Sequence, residues 1–163
     1  MKKMTIRHTE NRDKETLLSI YENARQFMAA SGNPNQWDPE YPSLKILEGD
    51  MALNQSYVCE EDGKILATFM LSLDPDPTYQ VIEGAWLNDR PYATLHRVAS
   101  AGIRGGMMKI IVPWAFEICP NLRADTHECN RTMRRALEEC GFQECGVIHL
   151  LDMQPRLAYQ KEK

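Results

Sequence analysis

A glycine-rich loop between an apolar strand and a helix is the sequence feature that most constrains this chain. The segment from Leu95 to Phe142 reads LHRVASAGIRGGMMKIIVPWAFEICPNLRADTHECNRTMRRALEECGF. A glycine loop that opens a helix places unpaired backbone N–H groups and the positive end of the helix dipole at one point. That point suits a phosphate or pyrophosphate. Asn130 follows the next strand at the head of another helix and faces the same edge.

Composition limits the class of protein. The 163 residues, 43% hydrophobic and 26% charged, predict one soluble domain over residues 1–163. A net charge of -4 argues against a nucleic-acid partner. No apolar run approaches the ~20 residues that cross a bilayer, and no secretory signal is evident. Five cysteines without a C-x-x-C spacing and four scattered histidines predict a cytoplasmic protein without a metal site.

Periodicity and turn residues predict one mixed, mostly antiparallel α/β sheet with helices on both faces. The predicted strands cover residues 5–8, 56–59, 65–73, 79–87, 92–100, 122–126, 142–151 and 156–160. The predicted helices cover residues 12–30 with Asn11 as N-cap, 43–51 with Ser43 as N-cap, the stretch from the glycine loop to about Cys119, and a helix that Asn130 caps and Gly141 ends.

This order of elements resembles the GNAT superfamily of N-acetyltransferases, and the resemblance covers essentially the whole chain. The unit that runs from a strand through the glycine loop into a helix resembles motif A of the superfamily, which binds the pyrophosphate of acyl-CoA. Asn130–Phe142 resembles motif B, written roughly N-x-x-A-x-x-x-Y-x-x-x-G-F. The stretches GNPNQW, EGAWL, HRVAS and NLRADTH are similar to one bacterial subfamily whose substrate is poorly defined.

Both motifs depart from the family pattern. In the signature Q/R-x-x-G-x-G/A, Gly106 takes the first glycine, which leaves Ile103 and Met108 at the outer positions. A methionine there is expected to crowd the ligand. The motif B tyrosine, often the general acid, is replaced by Leu137. Its loss is survivable, because a thiol of pKa ~8.5 leaves tolerably as thiolate near neutral pH. Pro113 is expected to kink the motif A helix.

The resemblance implies that acetyl-CoA is the co-substrate and that its pyrophosphate lies over Arg104–Lys109. A backbone N–H near Val98 is the implied oxyanion donor. The residues expected to bind the cofactor are Val98, Ala99, Ser100, Arg104, Gly105, Gly106, Met107, Met108, Lys109 and Asn130. For the methionines, core packing is the alternative interpretation.

Two residues are candidates for the general base that deprotonates the amine. Alternation on the predicted strand 79–87 places Glu83 on an apolar face, where desolvation raises the pKa of a carboxyl group. The alternative for Glu83 is a buried pair with Arg97. His96 is the rival, acting directly or through water, with a satisfied core histidine as its alternative.

The resemblance leaves the acceptor open among small-molecule amines, amino acids, antibiotics and protein N-termini. We expect a primary amine of a small molecule, because aromatic side chains with one carboxylate suit a small, partly apolar cation. Trp37 and Tyr41 lie in the loop 32–42, which roofs the acceptor pocket in the family, and either line that pocket or cover the core. His127 is a further candidate for substrate contact, with a loop or capping role as its alternative. A non-catalytic domain that senses acyl-CoA or another small ligand is the rival function. The hairpin 57–73 and the C-terminal strands are candidate contacts of a homodimer.

Overall fold

The computed structural model describes residues 4–163, which contain four α-helices and eight β-strands. The helices are α1 (Lys14–Ala30), α2 (Leu44–Ala52), α3 (Met108–Ile118) and α4 (Arg131–Glu139). The strands are β1 (Met4–His8), β2 (Ser56–Glu61), β3 (Lys64–Ser72), β4 (Glu83–Gly84), β5 (Ala93–Ser100), β6 (Asn121–Thr126), β7 (Gln143–His149) and β8 (Pro155–Glu162).

The strands of the described residues form one sheet in the order β1-β2-β3-β5-β6-β8-β7-β4. Strand pairs β1–β2, β2–β3, β6–β8, β7–β8 and β4–β7 are antiparallel, whereas β5 and β6 are parallel. The register of the parallel pair joins Ala93 to Leu122 and Thr94 to Arg123. The predicted fold class, a mixed and mostly antiparallel α/β sheet, is therefore confirmed.

By backbone contacts the chain divides into two compact units, and each is described separately. The first unit contains the residues up to Leu71 together with His96–Met107. Its core is built on α1, whose buried residues Leu17, Ile20, Tyr21 and Ala24 follow the helical spacing of an amphipathic helix. Leu47, Val58 and Ala99 complete this core, as does the partly buried Trp37.

Local sequence signals explain the helix and the hairpin that follow in the first unit. Ser43 caps α2 as predicted, because its Oγ accepts a hydrogen bond from the backbone N–H of Ile46 at 3.2 Å. Asp62 and Gly63 join β2 to β3 with φ angles of 53° and 77°, the pair of positive values that a tight hairpin turn requires.

The second unit contains Ser72–Leu95 and Met108–Lys163. Its buried cluster consists of Tyr79, Ile148 and Ala158, with Ile82, Trp86, Tyr92 and Leu150 packed around it. Asn130 caps α4 as predicted by accepting a hydrogen bond from the N–H of Met133 at 3.1 Å. The turn after α4 closes through a hydrogen bond from the Phe142 N–H to the Leu137 carbonyl, which confirms the predicted stop at Gly141.

Two predicted elements were wrong. The strand expected over residues 79–87 is only Glu83–Gly84, because Tyr79 ends a short 3-10 turn that Pro77 begins. The helix α1 does not begin after Asn11. A 3-10 turn at Asn11–Asp13 comes first, and a capping box formed by Glu10 and Asp13 organises it.

Among the described residues, no helix is both long enough and apolar enough to cross a membrane.

Candidate functional site

The glycine loop occupies residues 101–107, between the end of β5 and the start of α3. Residues 102–106 are exposed to solvent, and Gly102 and Gly106 have φ angles of 76° and 71°. A Cβ atom placed on Gly105 or Gly106 would meet nothing within 4 Å, so the space beside this backbone is open. A phosphate group can therefore approach the loop closely.

The last residue of the loop, Met107, and the first residue of α3, Met108, both have buried side chains. Met107 is 5% exposed and Met108 is 7% exposed. A buried side chain does not lie over the open side of the loop, where a ligand would arrive. The expectation that Met108 crowds the ligand therefore loses its physical basis, and the core-packing alternative is supported for both residues.

The cations near the loop, Arg104 and Lys109, each form an ion pair with a glutamate. Arg104 donates from Nη1 to Glu61 at 3.0 Å, and Lys109 Nζ lies 3.8 Å from Glu139. The two basic side chains are 49% and 68% exposed. Exposed pairs contribute about 0–1 kcal/mol, so Lys109, whose partner Glu139 is 51% exposed, can turn to a phosphate at little cost.

The strand β5 contains Arg97 with a left-handed φ of 50°. In a strand this backbone is typical of a bulge, and it breaks the alternation of side chains. Ala99 is buried in the core, so only its backbone can meet a ligand. The Ser100 hydroxyl accepts a hydrogen bond from the Gly102 N–H at 3.1 Å and so supports the loop.

The side chain of Arg97 is fixed by a buried carboxylate and a phenol. Its Nε and Nη2 donate to the two oxygens of Asp50 at 2.9 and 2.6 Å, and its Nη1 donates to the Tyr41 hydroxyl at 3.0 Å. The Arg97 and Asp50 side chains are 15% and 9% exposed. The suggested Glu83–Arg97 pair was wrong, because Asp50 of α2 holds the guanidinium.

The acceptor loop 32–42 folds back on its own unit. The Trp37 ring meets Tyr21 and Tyr41 edge to face, with centroid distances of 6.1 and 5.8 Å, and packs against the core. Arg25 holds the loop from α1 by donating to the Tyr41 carbonyl at 2.9 Å. Packing thus supports the core alternative for Trp37, and a role of Trp37 and Tyr41 in lining an acceptor pocket stays a prediction.

Glu83 does not lie on a buried face. It is exposed and belongs to a strand of two residues, where it pairs with Val147 of β7. The predicted desolvation of its carboxylate was therefore wrong, and with it the physical reason for choosing Glu83 as the base. His96 is partly buried on β5 and remains the predicted candidate.

His127 lies directly after β6 and has a loop-capping contact. Its Nδ1 accepts a hydrogen bond from the Cys129 backbone N–H at 3.0 Å, which leaves the proton of the neutral ring on Nε2. Burial lowers its pKa, and the nearby Arg156 lowers it further. The contact supports the capping alternative, and a contact of His127 with the substrate stays a prediction. Asn130, a predicted cofactor-binding residue, uses its side-chain oxygen to cap α4, and its contact with the cofactor stays a prediction.

The structure brings together a group of polar and aromatic residues in the second unit that was not predicted from the sequence. The Tyr79 hydroxyl donates to Asp125 at 2.7 Å, and the Arg123 guanidinium lies between Trp86 and Tyr92, 4.1 Å from each ring centroid. The signal was present in NLRADT. Alternation along this strand places three polar side chains on one face, at positions 121, 123 and 125. Within residues 4–163, no group of three His, Cys, Asp or Glu residues is arranged to hold a metal ion.

Comparison with solved structures places the chain in a family. It superposes on a GNAT-family acetyltransferase from Streptococcus agalactiae with a TM-score of 0.89 and 34% identity, over 98% of this chain and 95% of the other. A GNAT-family acetyltransferase from Listeria monocytogenes gives 0.71 at 17% identity, over 98% and 95%. The enzyme AAC(6')-Ib, solved with ribostamycin and coenzyme A, gives 0.68 at 17% identity, over 98% and 93%. No protein-family model matches the chain, and no curated protein matches it.

The Streptococcus agalactiae structure is similar enough, over nearly the whole of both chains, to establish kinship and not only a shared fold. The chain therefore belongs to the GNAT family of acetyltransferases, as its motifs predicted. Acetyl transfer is the activity of that family.

Proposed function

We propose that this protein transfers the acetyl group of acetyl-CoA to a primary amine of a small molecule. The observation that carries the proposal is the glycine loop 101–107, which leads into the first turn of α3, has residues 102–106 exposed and leaves open space beside Gly105 and Gly106. The N–H groups at the start of a helix have no partner within the helix, and the helix dipole favours an anion there. A pyrophosphate is the part of acetyl-CoA that fits such a loop.

Two properties of the loop, open space and a nearby positive charge, suit the pyrophosphate of acetyl-CoA. Gly105 and Gly106 leave room for phosphate oxygens beside the backbone, and Arg104, whose side chain is 49% exposed, supplies a positive charge beside the loop. The side chain of Met107 is buried and leaves this space open. The complex of AAC(6')-Ib with coenzyme A, on the same fold, supports the choice of acetyl-CoA.

The reaction needs little from the protein beyond positioning and proton removal. The neutral amine nitrogen attacks the thioester carbonyl, the new C–N bond forms, the C–S bond breaks, and the thiolate of CoA leaves and takes a proton. An amine with a pKa near ~10 is protonated at neutral pH, so a base must first accept its proton. We assign this step to His96, directly or through water, and the stabilisation of the oxyanion to the Val98 N–H after the bulge.

A small acceptor is favoured by the loop 32–42. This loop is held by its own packing and by hydrogen bonds to Arg25 and Arg97, which suits a preformed pocket wall. Aromatic rings on a pocket wall attract a small cation. The binding of ribostamycin, a small molecule, by AAC(6')-Ib supports the same class of acceptor.

The direct test measures release of the CoA thiol from acetyl-CoA in the presence of ribostamycin, spermidine or tyramine. We expect thiol release with at least one of these amines, and a raised KM for that amine in Trp37→Ala. Phe27→Ala is the matched control, since Phe27 is an aromatic residue of the same unit that is 57% exposed. His96→Gln is expected to lower kcat and flatten the pH–rate profile while the affinity for acetyl-CoA stays the same.

Other outcomes would redirect the proposal. Calorimetric binding of acetyl-CoA without thiol release from any amine would favour the non-catalytic sensor. The absence of acetyl-CoA binding at millimolar concentration would reject the assignment of the donor. An unchanged pH–rate profile in His96→Gln would exclude His96 as the base.

A further inference from the structure

The carboxylate of Asp50 lies where the physics of its own helix disfavours a negative charge. Asp50 is in the last turn of α2 and is 7% exposed. The helix dipole opposes a carboxylate near a C-terminus, and burying one costs free energy unless it is paired. A residue that conflicts with its local surroundings in this way has its reason elsewhere in the fold.

The partner of Asp50 is the guanidinium of Arg97, and the helix that presents the carboxylate is itself anchored. The two N–O distances of the pair are 2.9 and 2.6 Å. Leu47, one turn earlier on α2, is 0% exposed in the core of the first unit. The Asp50 carbonyl accepts a hydrogen bond from the Gln55 N–H at 2.9 Å. A bidentate pair to an anchored helix fixes the orientation of the guanidinium as well as its position.

This fixed side chain belongs to the residue that sets the direction of the next peptide group. Arg97 has a φ of 50° within β5. A left-handed residue in a strand turns the peptide that follows it, and residues other than glycine seldom adopt that backbone. The contacts of the guanidinium with Asp50 and with the Tyr41 hydroxyl, at 3.0 Å, hold Arg97 there. They thereby also hold the peptide group that carries the Val98 N–H.

The Val98 N–H points to the edge of β5 that faces away from β3. The Ala101 N–H, just after β5, donates to the Leu66 carbonyl of β3 at 2.9 Å. Successive N–H groups along an extended chain point to opposite edges, so the Val98 N–H, three residues earlier, points to the other edge. Among the described residues, the pairing of β5 with β6 ends at Thr94. Val98 therefore lies beyond the paired stretch, at an edge that a ligand carbonyl can use.

We propose that Asp50 is a positioning residue of the acetyl transfer, because by fixing Arg97 it aims the Val98 N–H at the carbonyl oxygen of the thioester. The proposal rests on the proposed function, which assigns the oxyanion to this N–H. Asp50 acts through Arg97 and needs no contact with acetyl-CoA. The carbonyl oxygen gains charge only as the amine attacks, so a misdirected donor slows the chemical step and leaves the binding of acetyl-CoA nearly unchanged.

Steady-state kinetics of thiol release separates positioning from folding. The full-length protein is assayed with whichever of ribostamycin, spermidine and tyramine supports release. Asp50→Asn should lower kcat about tenfold to hundredfold. The affinity for acetyl-CoA and the shape of the pH–rate profile should stay the same, since neither the glycine loop nor the base is altered. Asp50→Glu keeps a carboxylate for the guanidinium and should recover most of kcat.

Two further variants guard against effects on folding. The double variant Asp50→Asn/Arg97→Gln removes both charges, so no buried charge is left unpaired, and it should fold even if Asp50→Asn does not. It should show the same loss of kcat. Glu48→Gln is the matched control on α2, because Glu48 pairs with Lys14 at the surface, and it should keep the wild-type kcat.

A second measurement needs no turnover. In ¹⁵N-labelled protein the amide proton of Val98 should resonate further downfield with acetyl-CoA than with CoA, because only acetyl-CoA brings a carbonyl oxygen to this N–H. The difference should persist in Glu48→Gln. It should disappear in Asp50→Asn and in the double variant.

The outcomes separate this proposal from the proposed function. If Asp50→Asn and the double variant keep kcat in their folded fraction, the Arg97–Asp50 pair is structural only and the proposal fails. A wild-type Val98 resonance that does not distinguish acetyl-CoA from CoA also overturns it. If the Val98 difference depends on Asp50 and yet no amine releases thiol, the positioning of the N–H stands and acetyl transfer to amines fails.

Discussion

Arg97 and Asp50 form a bidentate ion pair, with N–O distances of 2.9 and 2.6 Å, although Arg97 lies in a strand and has a left-handed backbone. The pair joins the bulge of β5 to α2, and the Tyr41 hydroxyl extends it to the acceptor loop. A residue other than glycine keeps a strained backbone conformation only where several contacts with its surroundings hold it there. Here a buried carboxylate and a phenol supply that constraint.

Removing the charge of Asp50 is expected to destabilise the protein strongly. Asp50→Asn leaves the buried guanidinium of Arg97 without its counter-charge, which costs about 3–5 kcal/mol for a buried pair. Denaturant unfolding measures the change. Glu48→Gln on the same helix is the control, because Glu48 pairs with Lys14 at the surface and should shift stability much less. Equal effects of the two substitutions would contradict a structural role for the buried pair.

The two adjacent glycines of the loop should respond differently to alanine. Gly106 has a φ of 71°, so Gly106→Ala forces an L-residue into a left-handed backbone and should destabilise the protein by about 1–2 kcal/mol. Gly105→Ala meets no such backbone and should be neutral or stabilising by up to about 1 kcal/mol. Space does not distinguish them, since neither added Cβ meets an atom within 4 Å. Thermal unfolding of both variants checks the difference, and equal losses would reject the backbone explanation.

Local signals predicted the fold because they act over a few residues. Ser43 and Asn130 cap their helices, and Asp62-Gly63 makes its turn, whatever the rest of the chain does. The strand expected at Glu83 did not form over its predicted length, although the sequence alternates as a strand does. A turn that begins at a proline and the packing of Tyr79 determine the backbone there instead.

The candidate site was less predictable, because its contacts join distant parts of the sequence. The Arg97–Asp50 pair spans 47 positions and the Tyr79–Asp125 contact spans 46. Strand periodicity could place Asp125 on a polar face, but nothing local indicates that a phenol meets it there. The bulge at Arg97 is also hidden, because no glycine marks its left-handed backbone.

Met108 should behave as a core residue. Met108→Ala truncates a side chain that is 7% exposed and is expected to destabilise the protein by about 2–5 kcal/mol. Met153→Ala is the control, since Met153 is 73% exposed and its loss should change stability by less than about 0.5 kcal/mol. Chemical denaturation compares the two. A neutral Met108→Ala with tighter acetyl-CoA binding would restore the idea that this side chain crowds the donor.

His127 should make the protein less stable in mild acid. Burial, with Arg156, lowers its pKa in the folded protein below the usual value of 6.5. As the pH falls through 6.5 the unfolded chain takes up a proton at this residue before the folded protein does, so the free energy of unfolding declines. His127→Gln removes this contribution, and its melting temperature should therefore fall less than that of wild type between about pH 7 and pH 5. His149→Gln, in the same unit, is the control for loss of a histidine. If the His127→Gln and wild-type curves stay parallel over this range, the shifted pKa does not contribute to stability.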